Sequence, residues 1–224
     1  MNLPDRIALF PLGLVLYPDE PVPLHIFEPR YREMIAECLD SETPFGIVYA
    51  GEEVEGGLAR VGCSARIRRV LQRYDDGRLD IVAIGEDRFR VVEVHRERAF
   101  LTADVRPFTA RGAAEQPQPA ERERMVTQHM KLLELAGEPV RPGLYDAARW
   151  LSFAVAPTSG LDAADKQRVL EMPNERERVA FLVAHFERTL KNAERARRLR
   201  HLAGGDGHAG SLPPSLRDPS GNDA

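Results

Sequence analysis

At 224 residues, with 43% hydrophobic and 29% charged side chains, the chain can bury the core of one large or two small domains under a charged surface. A formal net charge of −4 excludes a generally basic, polyanion-trapping molecule, and no run reaches the roughly 18 apolar residues that a membrane span needs. The two cysteines, Cys38 and Cys63, lack CxxC or HxxxH company, so no zinc cluster is expected and the thiols read as reduced groups of a cytoplasmic protein without a signal peptide.

Ile7, Leu9 and Phe10 open a first predicted strand. Residues 10–31, FPLGLVLYPDEPVPLHIFEPRY, then place Pro18, Pro21 and Pro23 inside an apolar run. Proline has no N–H to give a central strand, so the run reads as a strand, a proline-braced turn, a short extended piece and a helix start at Glu28-Pro29. Tyr31, Met34, Ile35 and Leu39 recur at helical spacing and predict a helix over 29–40. Pro44 restarts a strand with Phe45, Ile47 and Tyr49 on one face, and residues 51–58 make an acidic loop.

Val61, Cys63, Ala65 and Ile67 alternate with Gly62, Ser64, Arg66 and Arg68, the period of a half-buried strand. Asp75-Asp76-Gly77 predicts a hairpin turn. Leu79–Ile84 is apolar on both faces, Gly85-Glu86-Asp87 is expected to turn the chain again, and Phe89, Val91, Leu101, Ala103 and Val105 complete a meander. Short antiparallel strands at this spacing argue for a small barrel or sandwich, and closure would remove exposed edges.

Residues 109–120 form a small, polar, proline-bearing linker, after which the period changes from 2 to 3.6. Four helices are predicted: about 120–136 ending at Gly137; a second carrying Leu144, Ala147, Trp150, Leu151, Ala154 and Val155; a third over about 162–172; and a long fourth opened by an Asn174/Glu177 capping box. The expected organisation is a β domain over 1–108, the linker 109–120, a helical subdomain over 121–202 and a Gly-, Pro- and Ser-rich tail over 203–224 with too little apolar surface to order. Charge follows the division, with net −5 over residues 1–108 and net +3 over 109–202.

Phe10-Pro11-Leu12, Leu16-Tyr17-Pro18, the block Pro23-Leu24-His25-Ile26-Phe27-Glu28-Pro29-Arg30-Tyr31, Phe45-Gly46, Val61-Gly62-Cys63, Asp76-Gly77-Arg78, Gly85 and Arg88-Phe89 stand in an order that resembles the N-terminal domain of the Lon protease family, specifically its stand-alone bacterial form. Asp165-Lys166-Gln167 and Leu170-Glu171 extend the resemblance, which covers roughly residues 3–195. It implies an α+β fold: a PUA-like β pseudobarrel with one early helix, followed by a four-helix C-terminal subdomain. It also implies a non-enzymatic module for substrate recognition or adaptor work in protein quality control. Its partners would be unfolded or unstructured polypeptide segments, with a protease or chaperone beside them, and it needs no cofactor.

The chemistry of the full family is missing from these residues. No Gly-Lys pair exists to build a phosphate-cradling loop, and the only lysines, Lys131, Lys166 and Lys191, all fall on predicted helices rather than beside a nucleophilic serine. No catalytic or metal residue is therefore assigned. The candidate peptide contacts are Phe27, Tyr31, Arg66 and Arg88. For the first two the plainer reading is core packing around Ile26 and Phe27 and a helix start at Pro29. Arg66, Arg68, Arg88 and Arg90 would form a basic row if their strands were neighbours, or a solvated face paired with Asp80, Glu86, Asp87 or Glu93. Arg88 is also a candidate partner of Glu28. Two alternatives stand beside binding of polypeptides: a small ATP-independent hydrolase using Ser64 or Cys63 with His25 as base, and an RNA-binding PUA-like module. Against the latter, the arginines at 195–200 lack interleaved aromatic residues and residues 1–108 are acidic.

Overall fold

The computed structural model describes residues 3–52, 54–108, 115–141 and 143–205. Of the expected linker, residues 109–114 lie outside that range, as does the expected tail from residue 206 onward.

Six strands make one mixed sheet: β1 (Arg6–Leu12), β2 (Pro21–Ile26), β3 (Phe45–Tyr49), β4 (Val61–Arg73), β5 (Leu79–His95) and β6 (Thr102–Pro107). Their order is β2-β5-β4-β3-β1-β6, and β5 also pairs with β6, so five strands form a hydrogen-bonded circuit that returns to its start. Only β1 and β3 run parallel; the other pairs are antiparallel. Strand β2 hangs on β5 alone, which explains how it tolerates two prolines. An edge strand bonds on one side only, so half of its N–H positions need no partner and can be proline.

Helix α1 (Pro29–Asp40) begins and ends where the spacing predicts, with Pro29 in its first turn. It buries Tyr31, Met34, Ile35 and Cys38 against Phe10, Ile26, Phe45, Ile47 and Ile81 of the sheet. Strand β3 differs from its reading in being buried on both faces along its whole length. Inside the circuit, the Phe89 ring lies across Gly46 and Gly62 on adjacent strands. A Cβ on either glycine would stand 2.7 Å from Phe89 Cζ, so both positions must be empty for the ring to fit.

The expected turn at Gly85-Glu86-Asp87 is not formed. Strand β5 runs through it as 17 residues without interruption. Its partners change there instead: Leu79–Ile84 pairs with β2, and Phe89–His95 pairs with β6. Gly85 marks a close approach. A Cβ there would lie 2.1 Å from the Tyr17 carbonyl oxygen, so the chain needs glycine for space rather than for turning.

Helices α2 (Pro119–Ala136), α3 (Gly143–Ala147), α4 (Leu151–Val155), α5 (Ala163–Glu171) and α6 (Glu175–Gly205) follow. Helix α2 closes on Gly137 in the left-handed conformation, φ 74°, as its sequence predicts. The single helix expected over 144–155 is two short ones, giving five helices after the sheet instead of four. Trp150 is extended, φ −125° and ψ 101°, and Glu175 accepts the Ser152 N–H (2.8 Å) and the Ser152 hydroxyl (2.6 Å), capping the new helix at its first turn. The predicted capping box of α6 is present in altered form: Asn174 Oδ1 accepts the Glu177 N–H at 2.8 Å, while the Asn174 amide donates to the Glu177 carboxylate at 3.0 Å.

Among the described residues, those up to Phe186 form one compact unit, and residues 187–205, which are helical, belong to a second. In the first unit, Tyr17, Tyr49 and Val61 of the sheet side share a core with Phe153, Leu170, Leu182 and Phe186 of the helices. Arg88 is a main tie between the halves. Its guanidinium donates to the carbonyls of Leu170 (2.7 Å) and Met172 (2.8 Å) at the C-terminus of α5, where a cation is favoured, and lies over the Phe108 and Phe153 rings. The proposed Arg88–Glu28 pair is therefore not formed; the Glu28 carboxylate binds Arg30 at 2.7 Å. Burial, reinforced by nearby Arg178, pushes Arg88 down to about 10.

The helices also enclose His129, whose ring nitrogens meet the Tyr145 hydroxyl at 2.9 Å and the Thr158 hydroxyl at 3.0 Å. Burial lowers its pKa below 6.5. The unfolded chain therefore takes up this proton at a higher pH than the folded chain. The stabilising contribution is complete above about 6.5 and is lost as pH falls through the lower folded value. Glu20 acts oppositely: burial raises it from 4.5 to about 7, so the folded state holds its proton and stability declines as pH rises between those values. Melting temperature is expected to fall from pH 7.5 to 5 more steeply in a Glu20→Gln background, and His129→Gln should flatten that decline.

Candidate functional site

Between the β1–β2 connection and the helices lies a groove of about 490 Å³, lined on one side by Pro18, Asp19, Glu20 and Pro21 and on the other chiefly by Leu133, Leu144, Trp150, Phe153, Ala154 and Pro157. Local sequence makes the first wall stiff. Pro18 and Pro21 fix two φ angles, and Asp19 between them sits at φ 65°, a conformation that Asp adopts more readily than most residues. Two backbone bonds pin this wall to the sheet, from Asp19 N to the Gly85 carbonyl (2.8 Å) and from Gly85 N to the Glu20 carbonyl (3.0 Å).

Tyr17 anchors the same wall to the helices. Its ring stacks on Phe153 at 5.3 Å and its hydroxyl donates to the Lys166 carbonyl at 2.8 Å. On the far wall, Trp150 is half-buried, with Arg178 and Arg149 near its ring at 5.5 and 5.7 Å. Both walls are thus held from behind before any ligand arrives, which lowers the cost of binding.

The groove is apolar with one half-buried charge-bearing group. The Glu20 carboxylate accepts a hydrogen bond from Tyr17 N at 2.9 Å and is pushed up to about 7 by burial, against the opposing pull of that bond and of Lys166. The other ionisable lining residues, Asp19, Glu138, Arg141 and Arg149, are exposed at the rim. Such a surface offers shape and apolar area to a chain segment.

The four sequence candidates lie elsewhere, and no hydrogen bond, ion pair or ring contact joins any two of them. Tyr31 is buried, its ring 4.2 Å from that of Phe10. Arg66 is held by the Glu86 carboxylate (2.6 Å) and the Glu42 carbonyl (2.7 Å). Arg88 is the tie between sheet and helices described above. Phe27 is 59% exposed rather than in the core; only its neighbour Ile26 is buried, at 1%. Phe27 stacks on His25, which meets Tyr74 edge-on, while Asp80 takes His25 Nδ1 at 2.5 Å and the Tyr74 hydroxyl at 2.7 Å. This is a small exposed aromatic patch across β2, β5 and the end of β4.

The residues named for hydrolysis are separated too. Cys63 is fully buried, and burial holds its thiol far above the usual range. The Ser64 hydroxyl exchanges hydrogen bonds with the Asp87 backbone at 3.0 and 3.2 Å, and His25 is engaged with Asp80. The basic row does not form: Arg66 stands opposite Ile84 and Arg88 opposite Cys63, and Arg88 turns toward the helices. Among the described residues, Glu93, His95 and Asp104 are the one group close enough to share a metal ion, but Arg6 already binds Asp104 at 2.8 Å and meets His95 at 3.2 Å. No helix among the described residues is long and apolar enough to cross a membrane.

The sequence reading missed Glu20, Leu144 and Trp150 as groove residues. The available signal was the proline bracket around Asp19-Glu20, because a loop stiffened on both sides is a ready wall.

Comparison with known proteins now adds to this geometry. Residues 6–188 match the family model described as the ATP-dependent protease La (LON) substrate-binding domain. Lon protease 2 of Syntrophobacter fumaroxidans (strain DSM 10017 / MPOB) is 24% identical over 208 residues, which are 88% of this chain and 26% of that protein. The chain thus spans about a quarter of that relative's length. Among solved structures, the Lon N-terminal domain protein from Xanthomonas campestris superposes with a TM-score of 0.63 at 24% identity, covering 80% of this chain and 97% of that one. The N-terminal domain of Mycobacterium avium complex Lon protease gives 0.56 at 18% identity, covering 81% and 98%.

Proposed function

The chain belongs to the ATP-dependent protease La (LON) substrate-binding domain family, and from that premise we propose that it is a non-enzymatic module that takes unfolded or unstructured polypeptide segments into the groove between Pro18 and Trp150. The observation that carries this reading is the groove itself: two walls rich in apolar side chains, each braced by buried contacts, around a space of about 490 Å³. Extended segments are recognised in this way when apolar anchors enter preformed grooves. The exposed Phe27 patch supplies a second apolar contact. Our proposal extends to an adaptor role beside a protease or chaperone, which the substrate-binding description of the family supports. The RNA reading has less support, because Arg66 and Arg88 spend their donors inside the protein.

Trp150 is the only tryptophan in the sequence, so its fluorescence reports on the groove directly. Titration with a reduced, alkylated protein, without ATP, is expected to shift that emission saturably. Trp150→Ala, followed by anisotropy of a labelled ligand, should weaken binding about tenfold or more, as truncating a central aromatic anchor does. Equal binding by the variant would place the site elsewhere. ATP-independent cleavage of casein by the purified chain would refute the non-enzymatic assignment.

A further inference from the structure

We propose that Glu20 makes the groove selective for segments in which a lysine or arginine accompanies the apolar anchors. This deepens, and rests on, the assignment of the groove as a polypeptide site. Among the ionisable side chains that line the groove, Glu20 alone is withdrawn from solvent into the wall. It is also the fixed one: its backbone carbonyl is tied to Gly85 and its carboxylate to Tyr17 N, so it neither swings away nor needs reorganising when a cation arrives.

Only one carboxylate oxygen is engaged by that bond, and a carboxylate accepts several. Lys166, the cation whose charge acts on Glu20, directs its ammonium to the Pro157 carbonyl at 3.2 Å, and among the described residues no ion pair reaches the carboxylate. A half-buried carboxyl in a groove otherwise lined by Trp150, Phe153 and prolines makes a low-dielectric acceptor for an ammonium or guanidinium. Its pKa, raised to about 7, shows that burial outweighs the compensation that Tyr17 N and Lys166 give its ionised form. The exposed rim carries Asp19 and Glu138 against Arg141 and Arg149, which largely cancel and are screened by salt.

The test uses three labelled twelve-residue peptides, identical and apolar except for a central Lys, Gln or Glu, measured by anisotropy on the full chain. The Lys peptide is expected to bind about tenfold more tightly than the Gln peptide, and the Glu peptide more weakly than either. In Glu20→Gln, the Lys-to-Gln ratio should fall to within about twofold of unity. A wild-type ratio near one overturns the inference while leaving the groove assignment intact. So does a preference that survives in Glu20→Gln, or one for the Glu peptide. Failure of all three peptides to bind, or binding untouched by Trp150→Ala, overturns the groove assignment along with it.

Discussion

Replacing Arg178 by Met is expected to lower the stability of the protein by about 3–5 kcal/mol, the cost of stranding one member of a buried ion pair. Arg178 is 1% exposed and Glu175 3%. The guanidinium meets the Glu175 carboxylate at 2.8 Å, the Ser152 hydroxyl at 2.8 Å and the Met172 carbonyl at 3.2 Å, and covers the Phe153 ring at 4.2 Å. Without it, Glu175 keeps its two bonds to Ser152 but loses the charge that balances it. A double variant that also carries Glu175→Gln should recover part of the loss, since the uncompensated charge is then gone. Urea unfolding should show the single variant's midpoint lowered by about 1 M or more, given ordinary slopes of unfolding free energy against urea. A loss under about 1 kcal/mol would refute the reading of this pair as a buried brace of the helices.

Gly85→Ala should be nearly as damaging for a different reason. The added methyl would meet the Tyr17 carbonyl oxygen at 2.1 Å and Cys63 Sγ at 3.2 Å. The first neighbour is backbone and the second lies in the core, so neither yields cheaply. Either β5 or the Tyr17–Pro21 wall must shift, and the two backbone bonds at Gly85 are strained or broken. About 3 kcal/mol is expected from overpacking together with weakened hydrogen bonds. The groove should suffer as well, because Pro18, Asp19 and Glu20 move with that wall. Gly13→Ala is the matched control: nothing lies within 4 Å of its Cβ position, and its effect should stay within about 0.5 kcal/mol. Polypeptide binding lost in Gly85→Ala and kept in Gly13→Ala, followed through Trp150 emission, would tie groove integrity to this one approach. Equal stability of the two variants would mean that the Gly85 contact is looser than it stands here.

The motifs that pointed to the family turn out to be packing devices. Phe45-Gly46, Val61-Gly62 and Arg88-Phe89 are far apart in sequence, yet the Phe89 ring needs both glycines, and Arg88 beside it caps α5. Pro29 and the Asn174/Glu177 pair mark helix starts by chemistry that acts within four residues, which is why those boundaries were legible. The groove was not. Its walls come from residues 18–21 and 133–158, and nothing in either stretch announces the other. Trp150, Leu144 and Phe153 fit one helical stripe in sequence, while the helix that restarts after Trp150 is capped by Glu175, more than twenty residues on.

Local rules therefore determined the strands, most of the helix ends and the absence of phosphate-loop and serine–lysine chemistry from these residues, since propensity, capping and motif spacing act over a few neighbours. Tertiary structure alone decided that β5 continues through Gly85, that Arg88 faces α5 and not Glu28, that Phe27 is exposed, and that Glu20 and Trp150 line one groove. Each of those depends on which distant backbone comes within a few ångströms, and steric exclusion at that range is a property of the folded packing rather than of any short stretch of chain.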